Sequence, residues 1–273
     1  MSKFFKLWPP VIAAIFGFAP TLASAQHFDV FIGRPTSGTT TAFGGIDVDT
    51  SAITLQKRIF KAEMGPEPFD GVFLSDEPGF NHPADESALP AGVTSLNQGD
   101  EVFVTGLPLT VNGMTSTLFF WNVQGIVNFS PAVNTSFVID TGNMSGSIGT
   151  AGVGGGFDDH PFFILDDGYS VSNTFPTPGI YLASFQARVA DLKPAGPLYL
   201  VMGTEGFITP EFLGITQLEF DMLSDEDIDA LLEGVLDVAA GHVAANVAVP
   251  EPGTVSLLTM ACCLILASRK APF

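Results

Sequence analysis

The chain has 273 residues, with 29 acidic against 10 basic side chains and a formal net charge of −19. A surface this negative repels phosphate backbones, which are held by clustered Lys and Arg, and so excludes nucleic acid as a partner. Abundant glycine (29), proline (20) and phenylalanine (25) suggest short apolar strands between turns, and only two cysteines exclude a disulfide scaffold.

Residues 1–25 read as a secretory signal peptide. Lys3 and Lys6 make the positive start, residues 11–22 the apolar run, and Ala23-Ser24-Ala25 the small-x-small cleavage site. Pro9, Pro10 and Pro20 count against a retained membrane helix. The mature chain is expected to begin near Gln26-His27. Residues 26–249 hold six basic and 28 acidic side chains, a net of −22. They hold no cysteine, so an exported domain here relies on its core.

Strands are predicted at 28–33, 52–60, 71–74, 101–106, 116–123, 136–140, 161–165, 180–187, 197–203 and 215–221. Gly- and Pro-containing turns at 34–38, 97–100 and 176–179 separate some of them. Residues 141–156, rich in Gly, Ser and Thr, are expected to form a surface loop. This pattern, without interleaved helices, predicts an all-β ectodomain over 26–221, a jelly-roll-like β-sandwich. A barrel would give the same pattern.

Ser224-Asp225-Glu226-Asp227 opens a short amphipathic helix. Ser224 caps it, Asp227 closes a capping box, and the acids suit the positive helix N-terminus. Ile228, Leu231, Leu232, Val235 and Leu236 form its apolar stripe. Residues 239–249 read as an Ala-rich stalk, so 222–248 is helix plus stalk.

Chemistry is sparsely marked. His27, His82 and His160 each lie near carboxylates, and with Asp29 they are candidate ligands for zinc or another divalent ion. No H-x-x-x-H spacing ties them together, so separate loop histidines remain the competing reading. No G-x-S-x-G elbow is present, no catalytic residues are assigned, and 28 acids leave a glycosidase pair unconstrained. Phe119-Phe120-Trp121 offers a sugar-stacking surface, but alternation along a strand favours core packing.

The C-terminus is more specific. Pro250-Glu251-Pro252 precedes an uncharged run, 253–268, and then Arg269-Lys270. At about 1.5 Å per residue the run is slightly short of a ~30 Å hydrocarbon core, which flanking residues and local thinning accommodate. The basic pair keeps that end cytoplasmic and leaves the preceding chain outside. Residues 249–270 together resemble the PEP-CTERM sorting domain of Gram-negative bacteria. The resemblance implies recognition near Pro250, Glu251 and Pro252 by an exosortase, a membrane-embedded processing enzyme, with 249–273 as the sorting signal and transmembrane helix.

The sequence therefore leads to an expectation of an exported, exosortase-processed protein of the cell surface or extracellular matrix. It is expected to be a non-catalytic structural or binding component, membrane-anchored through its C-terminus before processing. Exopolysaccharide is a further candidate partner. The alternatives are a divalent-metal-binding surface protein and an enzyme acting on surface polysaccharide.

Overall fold

The computed structural model describes residues 28–67, 71–139, 145–168, 175–204 and 206–247. The expected signal peptide, His27, the expected sorting motif (Pro250, Glu251, Pro252, Arg269, Lys270) and the expected membrane span lie outside the described residues. Among the described residues, no helix is long and apolar enough to cross a membrane.

Strands β1 (Phe28–Pro35), β2 (Ala42–Asp47), β3 (Ile53–Leu55), β4 (Ile59–Glu67), β5 (Val72–Ser75) and β6 (Phe80–His82) come first. Next are β7 (Val93–Thr94), β8 (Glu101–Leu107), β9 (Leu109–Val111), β10 (Met114–Ser116), β11 (Leu118–Trp121) and β12 (Ser130–Pro131). Then follow β13 (Ser136–Ile139), β14 (Ser145–Thr150), β15 (Phe157–Asp159), β16 (Phe163–Asp166), β17 (Ile180–Val189) and β18 (Leu198–Thr204). Helices α1 (Pro210–Leu213), α2 (Gln217–Phe220) and α3 (Asp225–Asn246) end the described chain. The body is mostly β-sheet with few helices, as composition predicts.

The smaller sheet runs β15-β6-β1-β2-β3, with β7 on the end of β1. The larger runs β12-β11-β17-β18-β4-β5-β16-β13, with β8 also along β17 and β14 beyond β8. Pairing is antiparallel except for β1 with β6 and β18 with β4. One core joins the sheets: Val30, Ile32, Phe80 and Phe157 from the smaller meet Phe60, Met64, Phe185 and Leu200 from the larger. The rings of Phe80 and Phe185 touch across it, with centroids 6.0 Å apart.

A second core covers the other face of the larger sheet. Ile180, Leu182, Tyr199 and Val201 pack there against Leu232, Val235, Leu236 and Ala239 of α3. Covering on both faces explains why β17 and β18 read as near-continuous apolar runs rather than alternating ones.

Four local expectations change. Residues 52–60 are not one strand: Gln56, at φ 65°, turns the chain between β3 in one sheet and β4 in the other. Residues 215–221 are helical over Gln217–Phe220, because Thr216 and Glu219 form a capping box that outweighs a weak strand pattern. Within the expected loop 141–156, Ser145–Thr150 pairs with β8, so ladder formation overrides a glycine-rich composition. The expected stalk continues α3 as far as Asn246, with Ala239 and Val243 buried, since small residues let the helix lie close to the sheet. The predicted capping box of Ser224 and Asp227 is present.

Candidate functional site

Three adjacent strands bring Asp29, Asp158 and His160 together. Strand β1 runs parallel to β6 with Val30 opposite Phe80. Strand β15 runs antiparallel on the other side of β6 with Asp159 opposite Phe80 and Asp158 opposite Asn81. One step along, Asp29 and His160 therefore flank Gly79, the residue before β6. A Cβ on Gly79 would fall 2.5–2.8 Å from the His160 ring. The missing side chain on the middle segment is what lets groups from the two outer strands meet. Asp158 and His160, two residues apart, project to the same side.

One ligand-type atom from each of Asp29, Asp158 and His160 lies within 4.8 Å of the others. His160 Nε2 is 3.5 Å from Asp158 Oδ1. His160 Nδ1 lies 3.1 Å from the Asp76 carbonyl oxygen, so Nδ1–H donates there. That contact leaves Nε2 facing the carboxylates. Asp29 is only 7 % exposed and accepts the Gly79 N–H at 2.9 Å.

The electrostatics follow from burial and neighbours. Burial raises the Asp29 pKa; His160 and the Gly79 amide oppose this only in part, and Asp158 and Glu77 add to it. For His160 burial works downward, but the Asp76 carbonyl and the carboxylates of Asp29, Asp158 and Asp76 outweigh it, so its pKa is raised.

Of the sequence-predicted ligands, the structure thus unites Asp29 and His160, and Asp158 joins them. Asp158 lies in the acidic segment before His160, yet only the β6–β15 register singles it out from Asp159. His82 does not join. It is 1 % exposed, stacks on Phe31 with centroids 5.7 Å apart, and bonds through Nδ1 to the Ile32 carbonyl at 2.7 Å. Burial lowers its pKa despite that bond, so it sits as a neutral packing residue. His242 lies on α3 beside Phe129, with ring centroids 6.2 Å apart.

A cleft next to Asp29 is lined also by Phe28, Lys57, Lys61, Glu77 and Glu233. Lys61 closes one side through ion pairs with Glu233 and, at 2.8 Å, Asp237 of α3. Phe119 and Trp121 are buried against the α3 side of the larger sheet, and Phe120 packs towards the inter-sheet core. Phe119 and Trp121 are core residues and Phe120 is partly buried on the opposite face, as alternation along the strand favours.

No family model matches the chain, and no curated protein matches it. Among solved structures it is similar to the CooA pilin subunit from enterotoxigenic Escherichia coli. The likeness has 16% sequence identity and a TM-score of 0.24, covering 54% of this chain and 90% of the pilin chain.

Proposed function

We propose that the chain is an exported protein of the cell surface or extracellular matrix, processed by an exosortase-like enzyme and acting as a structural or binding component without catalysis. The observation that carries this reading is the order of parts along the chain. An export signal precedes a β-rich body, and Pro250-Glu251-Pro252 follows the last described helix by only three residues, before an uncharged run and Arg269-Lys270. Two prolines favour an extended segment that a processing enzyme can grip. The two sheets around one core support a β-sandwich, of jelly-roll-like kind in its mainly antiparallel pairing.

The test is to express the chain with an exosortase in a Gram-negative host and define its C-terminus by mass spectrometry. The expected product is released from the inner membrane and ends near Pro250. A population that is only full length and membrane-bound, with Arg269-Lys270 retained, would overturn the reading. Lengthening the spacer after Asn246 should leave processing intact, whereas replacing Pro250, Glu251 and Pro252 together should abolish it.

A further inference from the structure

The grouping of Asp29, Asp158 and His160 has the features of a ligand set. Its donors are two carboxylates and one imidazole nitrogen, which suit a divalent ion of borderline hardness. Bonds of about 2.1 Å in a tetrahedral arrangement place ligand atoms about 3.4 Å apart. The separation of His160 Nε2 from Asp158 Oδ1 is 3.5 Å.

Two further observations point to a cation rather than to a chance cluster. His160 donates its other ring N–H to a backbone carbonyl, that of Asp76, and so is oriented as metal-bound histidines usually are. Asp29 is more than nine-tenths buried, and among the described residues the Gly79 amide is the hydrogen-bond donor to its carboxylate. That one hydrogen bond leaves further lone pairs of the carboxylate open to another partner at the cluster. A buried carboxylate is costly unless its remaining lone pairs are met. One imidazolium offsets only one of the two carboxylates in the group, Asp29 and Asp158, whereas a dication offsets both.

We infer that Asp29, Asp158 and His160 form a binding site for one divalent transition metal, with zinc the best match to the donors. The ion ties the start of β1 to β15 across Gly79, so it clasps the edge of the smaller sheet. Three protein ligands leave a fourth position for water or an external oxygen donor. Asp158 and His160 are solvent-accessible, with side-chain exposures of 69% and 44%, which provides an entry path. The inference is independent of export and processing, and its failure leaves that reading untouched.

The test uses the full-length chain in detergent, stripped with EDTA and titrated with zinc chloride at high ionic strength. One equivalent should bind and remain after dialysis, with a saturable rise in melting temperature. Asp158→Ala and His160→Ala should each weaken binding at least about tenfold. Gly79→Ala removes no ligand but crowds the His160 ring, and should weaken binding comparably. His242→Ala, beside Phe129 on α3, should leave affinity unchanged. Zinc binding that survives the Asp158→Ala, His160→Ala double variant, or no stoichiometric binding to the parent chain, would overturn the site. Binding of calcium or magnesium with zinc inert would overturn the metal class.

Discussion

Leu236→Ala tests whether α3 is part of the folded body. Leu236 has no exposed surface and lies in the core between α3 and the larger sheet. It sits over Gly203 of β18, where an added Cβ would come 3.2 Å from its Cδ2 and 2.6 Å from Leu232 Cδ1. The helix is therefore seated on nearly bare backbone, and a truncated leucine leaves a hole that rigid strand cannot fill. Buried Leu→Ala substitutions destabilise by about 2–5 kcal/mol, and a site unable to collapse belongs in the upper half. For a body of this size, that range corresponds to a melting shift of roughly 4–20 °C. The assay is chemical denaturation of the full chain in detergent, monitored by tryptophan fluorescence, since Trp121 shares this core. Leu218→Ala, at a position 72% exposed, is the control and should stay within about 0.5 kcal/mol of the parent. If Leu236→Ala behaves like Leu218→Ala, α3 is not docked, and the sequence's stalk reading for 239–249 stands.

Arg34 donates from Nε and Nη2 to Asp100 at 2.6 and 2.8 Å, and also meets Asp191. Arg34→Ala should cost about 1–3 kcal/mol near neutral pH by leaving a largely covered carboxylate with the Asn97 amide but without its guanidinium donors. Burial alone would raise the Asp100 pKa, but Arg34 and the Asn97 amide together hold it below 3.8. A lowered carboxylate pKa gives stability that is full above the unfolded value and is lost as pH falls through the folded one. The gap between parent and Arg34→Ala, followed by denaturation against pH, should therefore persist at pH 5 and shrink below 3.8. A gap that grows on acidification would refute that linkage. Ser224→Ala removes the hydroxyl half of the α3 capping box and should cost about 1 kcal/mol by denaturation, with Ser224→Asp largely restoring it.

Much of the architecture was legible because it rests on local signals. The apolar runs of β17 and β18, the Ser224 cap and the stripe on α3 each record burial or a cap in nearby residues. What was not legible depended on pairing across the chain. Ser145–Thr150 has poor strand composition and is held by β8. The β9–β10 hairpin went unpredicted: Asn112-Gly113 supplies the two positive-φ residues of its tight turn (φ 52° and 77°), but its flanking strands are only three residues each. The site shows the same division. Residue chemistry flags His82 as readily as His160, yet a parallel pairing of β1 with β6 and an antiparallel one of β6 with β15 decide which meets Asp29. Gly79, the residue that makes the meeting possible, carries no chemical signal at all.

The acidic surplus gives this molecule two separable responses to cations. Five of the six basic residues between 26 and 249 are already engaged. Arg34 and Lys61 are ion-paired, while Lys57, Arg58 and Arg188 lie over Phe28, Phe43 and Phe103. The remaining carboxylates repel one another across a surface that internal cations do not neutralise, so salt should stabilise the fold by screening. That response should rise smoothly with sodium chloride, show no stoichiometry, and level off once the screening length falls to about 3 Å near 1 M. A metal clasp across β1 and β15 should instead saturate at one equivalent and persist at high salt, because ligands held at bonding distance are not screened. Melting curves over a sodium chloride series, with and without one equivalent of zinc, separate the two. Equal zinc shifts at low and high salt would assign the effect to the three-residue site. A zinc shift that vanishes at 1 M sodium chloride would assign it to the surface field and remove the clasp from the account.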